Sequence, residues 1–271
     1  MGGRGVLGVF AITWFCPFWK AGCSNLISRF TEQLQVLLVC AGGVSRGRRF
    51  RALVSKLPKW VELGAFILAL IAGYVNAVGL LGFEHQSVSH LSGTATLLGT
   101  GILNSASTNV LHLLGVLLSF LVGASISGFL LHDSALKLGR HYDTALFIES
   151  VLLFGSAWLL VSGSFYGHFL ASAACGLQNA LATTYSGAVI RTTHVTGIFT
   201  DLGIMIGATF RGEGLDARKA KLFLFIIAGF ISGGTVGAMF YYNYQFMALV
   251  IPASICLAIS VAYRVYARSR S

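Results

Sequence analysis

Between Gly187 and Gly207 the chain reads GAVIRTTHVTGIFTDLGIMIG. This run is apolar enough to enter a bilayer, yet it carries Arg191, His194 and Asp201, with Thr192, Thr193, Thr196 and Thr200 among them. Ionisable side chains at membrane depth are expensive and face a bundle interior or a water-filled cavity. The chain is therefore limited to folds in which other segments shelter this one. Its glycines and threonines also suit close helix packing. A relative of the run occurs earlier: SHLSGTATLLG, from Ser89 to Gly99, matches THVTGIFTDLG, from Thr193 to Gly203. In both, a Ser or Thr precedes the histidine, another follows two places after it, and Gly, Thr, Leu and Gly recur at fixed spacing.

Only 10% of the residues are charged and 55% are hydrophobic. A soluble domain carries roughly a quarter charged residues, so an all-α integral membrane protein is expected. The net charge of +10 does not imply nucleic acid, because the basic residues flank apolar spans, as membrane topology requires. Cys16, Cys23, Cys40, Cys175 and Cys256 lack the spacing of a zinc site and read as free thiols. No HExxH or paired-aspartate motif is present, so the chain is not expected to be an enzyme. No cofactor or metal is expected.

Residues 1–59 differ from the rest. Their apolar runs are short for a crossing of roughly 30 Å, and a cluster from Arg46 to Lys59 is basic. They read either as an interfacial extension or as a non-native addition. The membrane domain, 60–271, holds six expected spans, near 61–83, 110–131, 144–162, 169–189, 222–242 and 246–266. Two polar, small-residue segments, 88–104 and 194–210, lie between them.

The halves repeat. Asn76 matches Asn179, His90 matches His194 and Gly123 matches Gly233, at separations of 103, 104 and 110 residues. The pattern predicts repeats over 60–163 and 164–266, of a kind common in transporter folds. Six crossings with two re-entrant segments put all 19 Lys and Arg on one side. Eight crossings put Lys137, Arg140 and Arg191 outside. The positive-inside rule favours six, with both termini cytoplasmic and the repeats inverted in a cell's inner (plasma) membrane.

GYVNAVGLL, SHLSGTATLLG, GLQNALATTYSGAVIRTTHVTGIFTDLG and FISGGTVGAMFYY resemble the YoaK family of small bacterial multi-pass membrane proteins, a domain of unknown function. The resemblance covers roughly residues 62–263. It implies a membrane location and six transmembrane helices, and it supplies no substrate and no catalytic residues. The chain departs from it at Asn76, where many relatives carry an acid, which weakens any ion-coupling role for that position.

The candidate pathway residues are Asn76, His90, Thr96, Gln178, Asn179, His194, Thr200 and Asp201. The asparagines read either as interhelical hydrogen-bond partners or as polar groups of a central site. The histidines either cap helices or line a pathway. For Asp201, with His194, Arg191 and threonine hydroxyls as its candidate partners, the choice is between a role in transport and a structural hydrogen-bond network. Glu149 reads as a snorkelling or helix-paired carboxylate near the inner interface. The best-supported reading is a small-solute permease or channel with its pathway between the repeats. A non-transporting scaffold or accessory subunit is the alternative. The expected partners are the lipid bilayer and an unidentified small solute, with no nucleic acid.

Overall fold

Glycine decides where several helices of this protein stop and where they touch. The computed structural model describes residues 60–82, 88–104, 107–131, 141–186 and 190–269. The expectation for residues 1–59 lies outside these. Eight α-helices follow in order: α1 (Trp60–Gly82), α2 (Leu91–Asn104), α3 (Ser107–Leu130), α4 (Tyr142–Val161), α5 (Gly167–Tyr185), α6 (Val195–Phe210), α7 (Ala217–Tyr244) and α8 (Val250–Arg268). A 3-10 turn, Gln245–Leu249, separates the last two.

The helix ends follow from local chemistry. α4 ends at Gly163 and α6 at Gly212, both with positive φ. There the N–H groups of Ser164 and Glu213 turn back to the carbonyls of Leu159 and Ala208, the glycine-terminated close that satisfies orphan carbonyls. Asp216 opens α7 by accepting from the Lys219 backbone N–H at 3.1 Å, as an N-cap carboxylate does. Pro252 sits in the first turn of α8, where a missing N–H costs nothing.

Two long pairings hold the bundle, α1 on α7 and α3 on α5. In α7, Gly229, Gly233 and Gly237 form one stripe at four-residue spacing. They lie against the backbone carbonyls of Phe66, Leu70 and Tyr74, one turn apart on α1. Gly73 of α1 answers by lying against the carbonyl of Phe230. The second pairing has the same construction: Gly123 of α3 meets the Ala173 carbonyl of α5, and Gly176 meets the Phe120 carbonyl. In lipid there is little hydrophobic drive between helices, so close backbone approach at small residues does this work. Ser172 adds a buried hydrogen bond to the Val116 carbonyl, 2.9 Å.

α4, α5 and α8 complete the core with Leu153, Ala157, Cys175 and Cys256. At one end of the bundle Glu62 pairs with Arg218 and Lys221, and Asp143 pairs with Arg264. The other end carries aromatic contacts, such as Tyr241 on Phe246 and Phe165 on Phe169. Much of the outer surface is apolar: Phe129 is 86% exposed and Phe210 87%. That surface suits lipid.

Four stretches are long and apolar enough to cross a membrane: Val61–Gly82, Asn109–Leu130, Tyr142–Val161 and Ala217–Arg268, the last holding both α7 and α8. α5 has the length, at 19 residues, but Gln178, Asn179 and His168 reduce its apolarity. Its middle, from Ala171 to Gln178, is buried in protein, which spares it the need. α2 and α6 are the two shorter apolar helices. At 1.5 Å per residue they reach only about 21 and 24 Å.

One expectation is corrected here. The glycines of the polar segments do not mediate packing: Gly93, Gly99, Gly203 and Gly207 face open space, and Gly197 lies under the His194 ring. α2 and α6 ride on the outside of the bundle, and Ile198 is the one buried residue of α6.

Gly233→Ala should therefore destabilise the protein by about 1–3 kcal/mol, the cost of forcing extra volume into a packed contact. Gly99→Ala, with no atom nearby, should leave it unchanged or slightly firmer. Melting of the detergent-solubilised protein, followed by size-exclusion fluorescence, distinguishes the two. Equal melting points would refute the glycine–carbonyl account.

Candidate functional site

The two copies of the histidine motif come together. Ser89, His90 and Ser92 from the start of α2, and Thr193, His194 and Thr196 from the start of α6, line one cleft of about 520 Å³. Arg191 completes its polar wall, and Asn179 of α5 forms part of its floor with Phe120, Ala124 and Ala180. None of the described lining residues is an acid.

Each motif is tied to its neighbouring helix by an asparagine. Ser89 Oγ donates to Asn76 Oδ1 of α1 at 2.6 Å. The Thr193 backbone N–H points to Asn179 Oδ1 of α5 at 3.5 Å. Both ties leave the long helix about two turns before its end and catch the residue just before the histidine. The first uses a hydroxyl, the second the main chain. Ser186 Oγ accepts from the Ile190 N–H at 2.7 Å.

The other candidates lie elsewhere. Asn76 sits behind the wall, buried, and reaches the cleft through Ser89. Thr96 and Thr200 are exposed one turn further along α2 and α6, where their hydroxyls bond the Ser92 and Thr196 carbonyls. Gln178 is buried and donates to the Leu68 carbonyl at 2.9 Å, a link between α5 and α1. Asp201 does not pair with His194, Arg191 or a threonine. Its carboxylate faces Lys219 of α7 at 3.8 Å, with nearly half its side chain exposed. Helical spacing puts His194 and Asp201 on one face, but two turns of α6 separate them.

A family model described as Protein of unknown function (DUF1275) matches residues 64–262. The chain belongs to this family. Its sequence is similar to the UPF0700 transmembrane protein YoaK of Bacillus subtilis (strain 168), with 30% identity over 145 residues. The match spans 50% of this chain and 63% of that protein's length. No solved structure matches. With its apolar helices, this DUF1275 member is a helical membrane protein.

Two groupings were not legible beforehand. His112 of α3 and His168 of α5 meet at 2.9 Å between ring nitrogens, against Phe165 and Phe169. They are 56 residues apart in a chain without marked spacing, so no pattern announces them. Glu149 is corrected from an interfacial carboxylate to a fully buried one, hydrogen-bonded by the Cys256 thiol with Cys175 beside it. By contrast, Ser89, Ser92, Thr193 and Thr196 were visible as the fixed Ser/Thr positions of the motif itself.

The Ser89–Asn76 tie predicts an asymmetry. Ser89→Ala deletes a buried hydroxyl donor and should cost about 1 kcal/mol, whereas Thr193→Ala keeps the backbone N–H that reaches Asn179. Melting of the two variants in detergent is the measurement. A larger loss from Thr193→Ala would show that the asparagine ties do not hold the motifs.

Proposed function

We propose that this DUF1275 member is a small-solute permease or channel of the inner (plasma) membrane, with its pathway between two inverted repeats, 60–163 and 164–266. The observation that carries the reading is the single cleft lined by the front edges of both motif copies. Helices that stop inside the membrane and present their N-termini to a shared site are a recurring device of transporters. Irregular backbone at that depth is tolerated where it lines such a cavity. The proposal involves no chemical change to the solute.

The repeat is supported by the helix contacts. Gly73 on Phe230 corresponds to Gly176 on Phe120, and Gly233 on Leu70 to Gly123 on Ala173. Each correspondence keeps the sequence offsets of 103 and 110 residues. The first long helix of each half thus packs on the third helix of the other half. Six crossings and cytoplasmic termini are supported by charge. Among the described residues, the end with Glu62 and Asp143 carries Arg218, Lys219, Lys221 and Arg264, and the aromatic end carries no lysine or arginine. That distribution puts the charged end inside.

A second reading rests on α2 and α6. Their open glycines and exposed apolar residues, Leu103 and Ile204 among them, would suit a partner's helices in a scaffold or accessory subunit.

Three measurements decide. Single cysteines at Ser164 and Asn243 should label from outside in intact cells, and one at Gly214 only after permeabilisation. Purified protein in liposomes should pass at least one member of a panel of small anions, cations and neutral solutes. Folded protein that passes none, and that leaves native membranes with a stoichiometric partner, would replace the permease by the scaffold.

A further inference from the structure

We infer that the cleft is an anion seat, and that its ligand is a small carboxylate. The inference rests on the permease reading only for the claim that the ligand is carried, because the seat itself is read from charge and donors. Among the described residues Arg191 stands in the wall without an acidic partner. Every described acid is engaged elsewhere: Glu62, Asp143, Asp201 and Glu213 in ion pairs, Asp216 in a cap and Glu149 in the core. An arginine fork with no described carboxylate opposite it lacks its natural counter-ion, and a planar carboxylate fits it in two parallel hydrogen bonds.

The backbone adds to this field. Both α2 and α6 start at the cleft, and the first N–H groups of a helix have no intrahelical acceptor. The two ends bring partial positive charge to one place, in the arrangement that holds anions. At α6 the cap residue, His194, makes no side-chain hydrogen bond to these N–H groups. A further donor points the same way. Thr193 is 7% exposed, it lines the cleft, and among the described residues its hydroxyl has no hydrogen-bond partner. This buried, unengaged group opens onto the same space as Arg191.

The class of anion follows from the remaining wall. A volume of about 520 Å³ lies in the range of small-molecule sites and is spacious for a bare halide. Phe120, Ala124, Ala180 and Leu91 offer an apolar surface to a short carbon skeleton. A carboxylate group against Arg191 and the two helix ends, with its apolar body on Phe120, satisfies both halves of the wall.

The test uses the full chain in detergent, with pyruvate, butyrate and benzoate as probes and methylammonium and glycerol as controls. At least one carboxylate should raise the melting temperature, and the controls should not. Arg191→Gln should weaken that carboxylate roughly tenfold or more, the scale of a lost charge-assisted bond, and Arg191→Lys should restore part of it. Thr196→Ala, at an exposed position, serves as the second variant and should weaken binding more mildly. No shift from any carboxylate, or a shift indifferent to Arg191 and Thr196, would overturn the inference. A shift from dihexanoyl phosphatidylglycerol and from no free carboxylate would assign the seat to a lipid headgroup and overturn the free-solute form. Liposome flux separates the two readings. Carboxylate binding without flux removes the permease and keeps the seat. Flux of methylammonium or glycerol that Arg191→Gln leaves unchanged removes the seat and keeps the permease.

Discussion

The contact of a glycine with a carbonyl across two helices is the interaction on which the remainder of this bundle depends. It occurs on both long pairings, α1 on α7 and α3 on α5, and at each it lets two backbones meet without side chains between them. Side chains that would otherwise fill those interfaces are freed for other faces. Lipid tails are as apolar as leucine, so a leucine interface would offer little advantage over lipid contact. Short axial distance, with many weak contacts along a stripe, supplies the association instead. Because α1 and α5 are clamped in this way, Asn76 and Asn179 have fixed positions, and with them the two short helices that they tether.

On the permease reading, that tethering meets the cost of breaking a helix at depth. A chain that turns inside the hydrocarbon region must satisfy its main-chain groups from protein or water. Here the residue before each histidine is held by an asparagine oxygen, and Ser186 serves the Ile190 N–H and accompanies its carbonyl. What is left unsatisfied at the break is the set of N-terminal N–H groups of α2 and α6, and these open onto a cleft rather than onto lipid. Structural necessity and the proposed binding site thus arise from one arrangement.

The helical membrane class and the shortness of α2 and α6 were legible in the sequence because composition and spacing carry them directly. The motif announced that His90 and His194 would act alike, and its leading Ser and Thr positions turned out to be the lining. The trailing half of the motif misled. Thr96 and Thr200 share its pattern, but one further turn of helix carries a side chain about 5.4 Å along the axis, out of the cleft, and Asp201 lies further along still. Gln178 and Asn179 adjoin in sequence and separate in space for the same geometric reason: 100° of rotation sends one to the Leu68 carbonyl and the other to the cleft. The His112–His168 contact and the burial of Glu149 depend on which helices become neighbours, and no local pattern encodes that.

The two halves share a frame but not its charges, and the manner of their difference is informative. Asp201 corresponds to Leu97 in the first motif, so the second half carries a carboxylate that the first lacks. It also carries Lys219, which faces that carboxylate across α6 and α7. This addition came as a pair and leaves the local charge balanced. Arg191 did not. It lies three residues before His194, on the approach to α6, with no acid opposite it among the described residues. An unbalanced cation beside two helix N-termini raises the cost of an empty cleft, since all three sources of positive potential act on the same volume. Water can meet part of that cost, and an anion meets more of it. The asymmetry therefore gives the proposed seat a sign that the two helix ends alone would leave weaker, and it locates the stronger end at the α6 side.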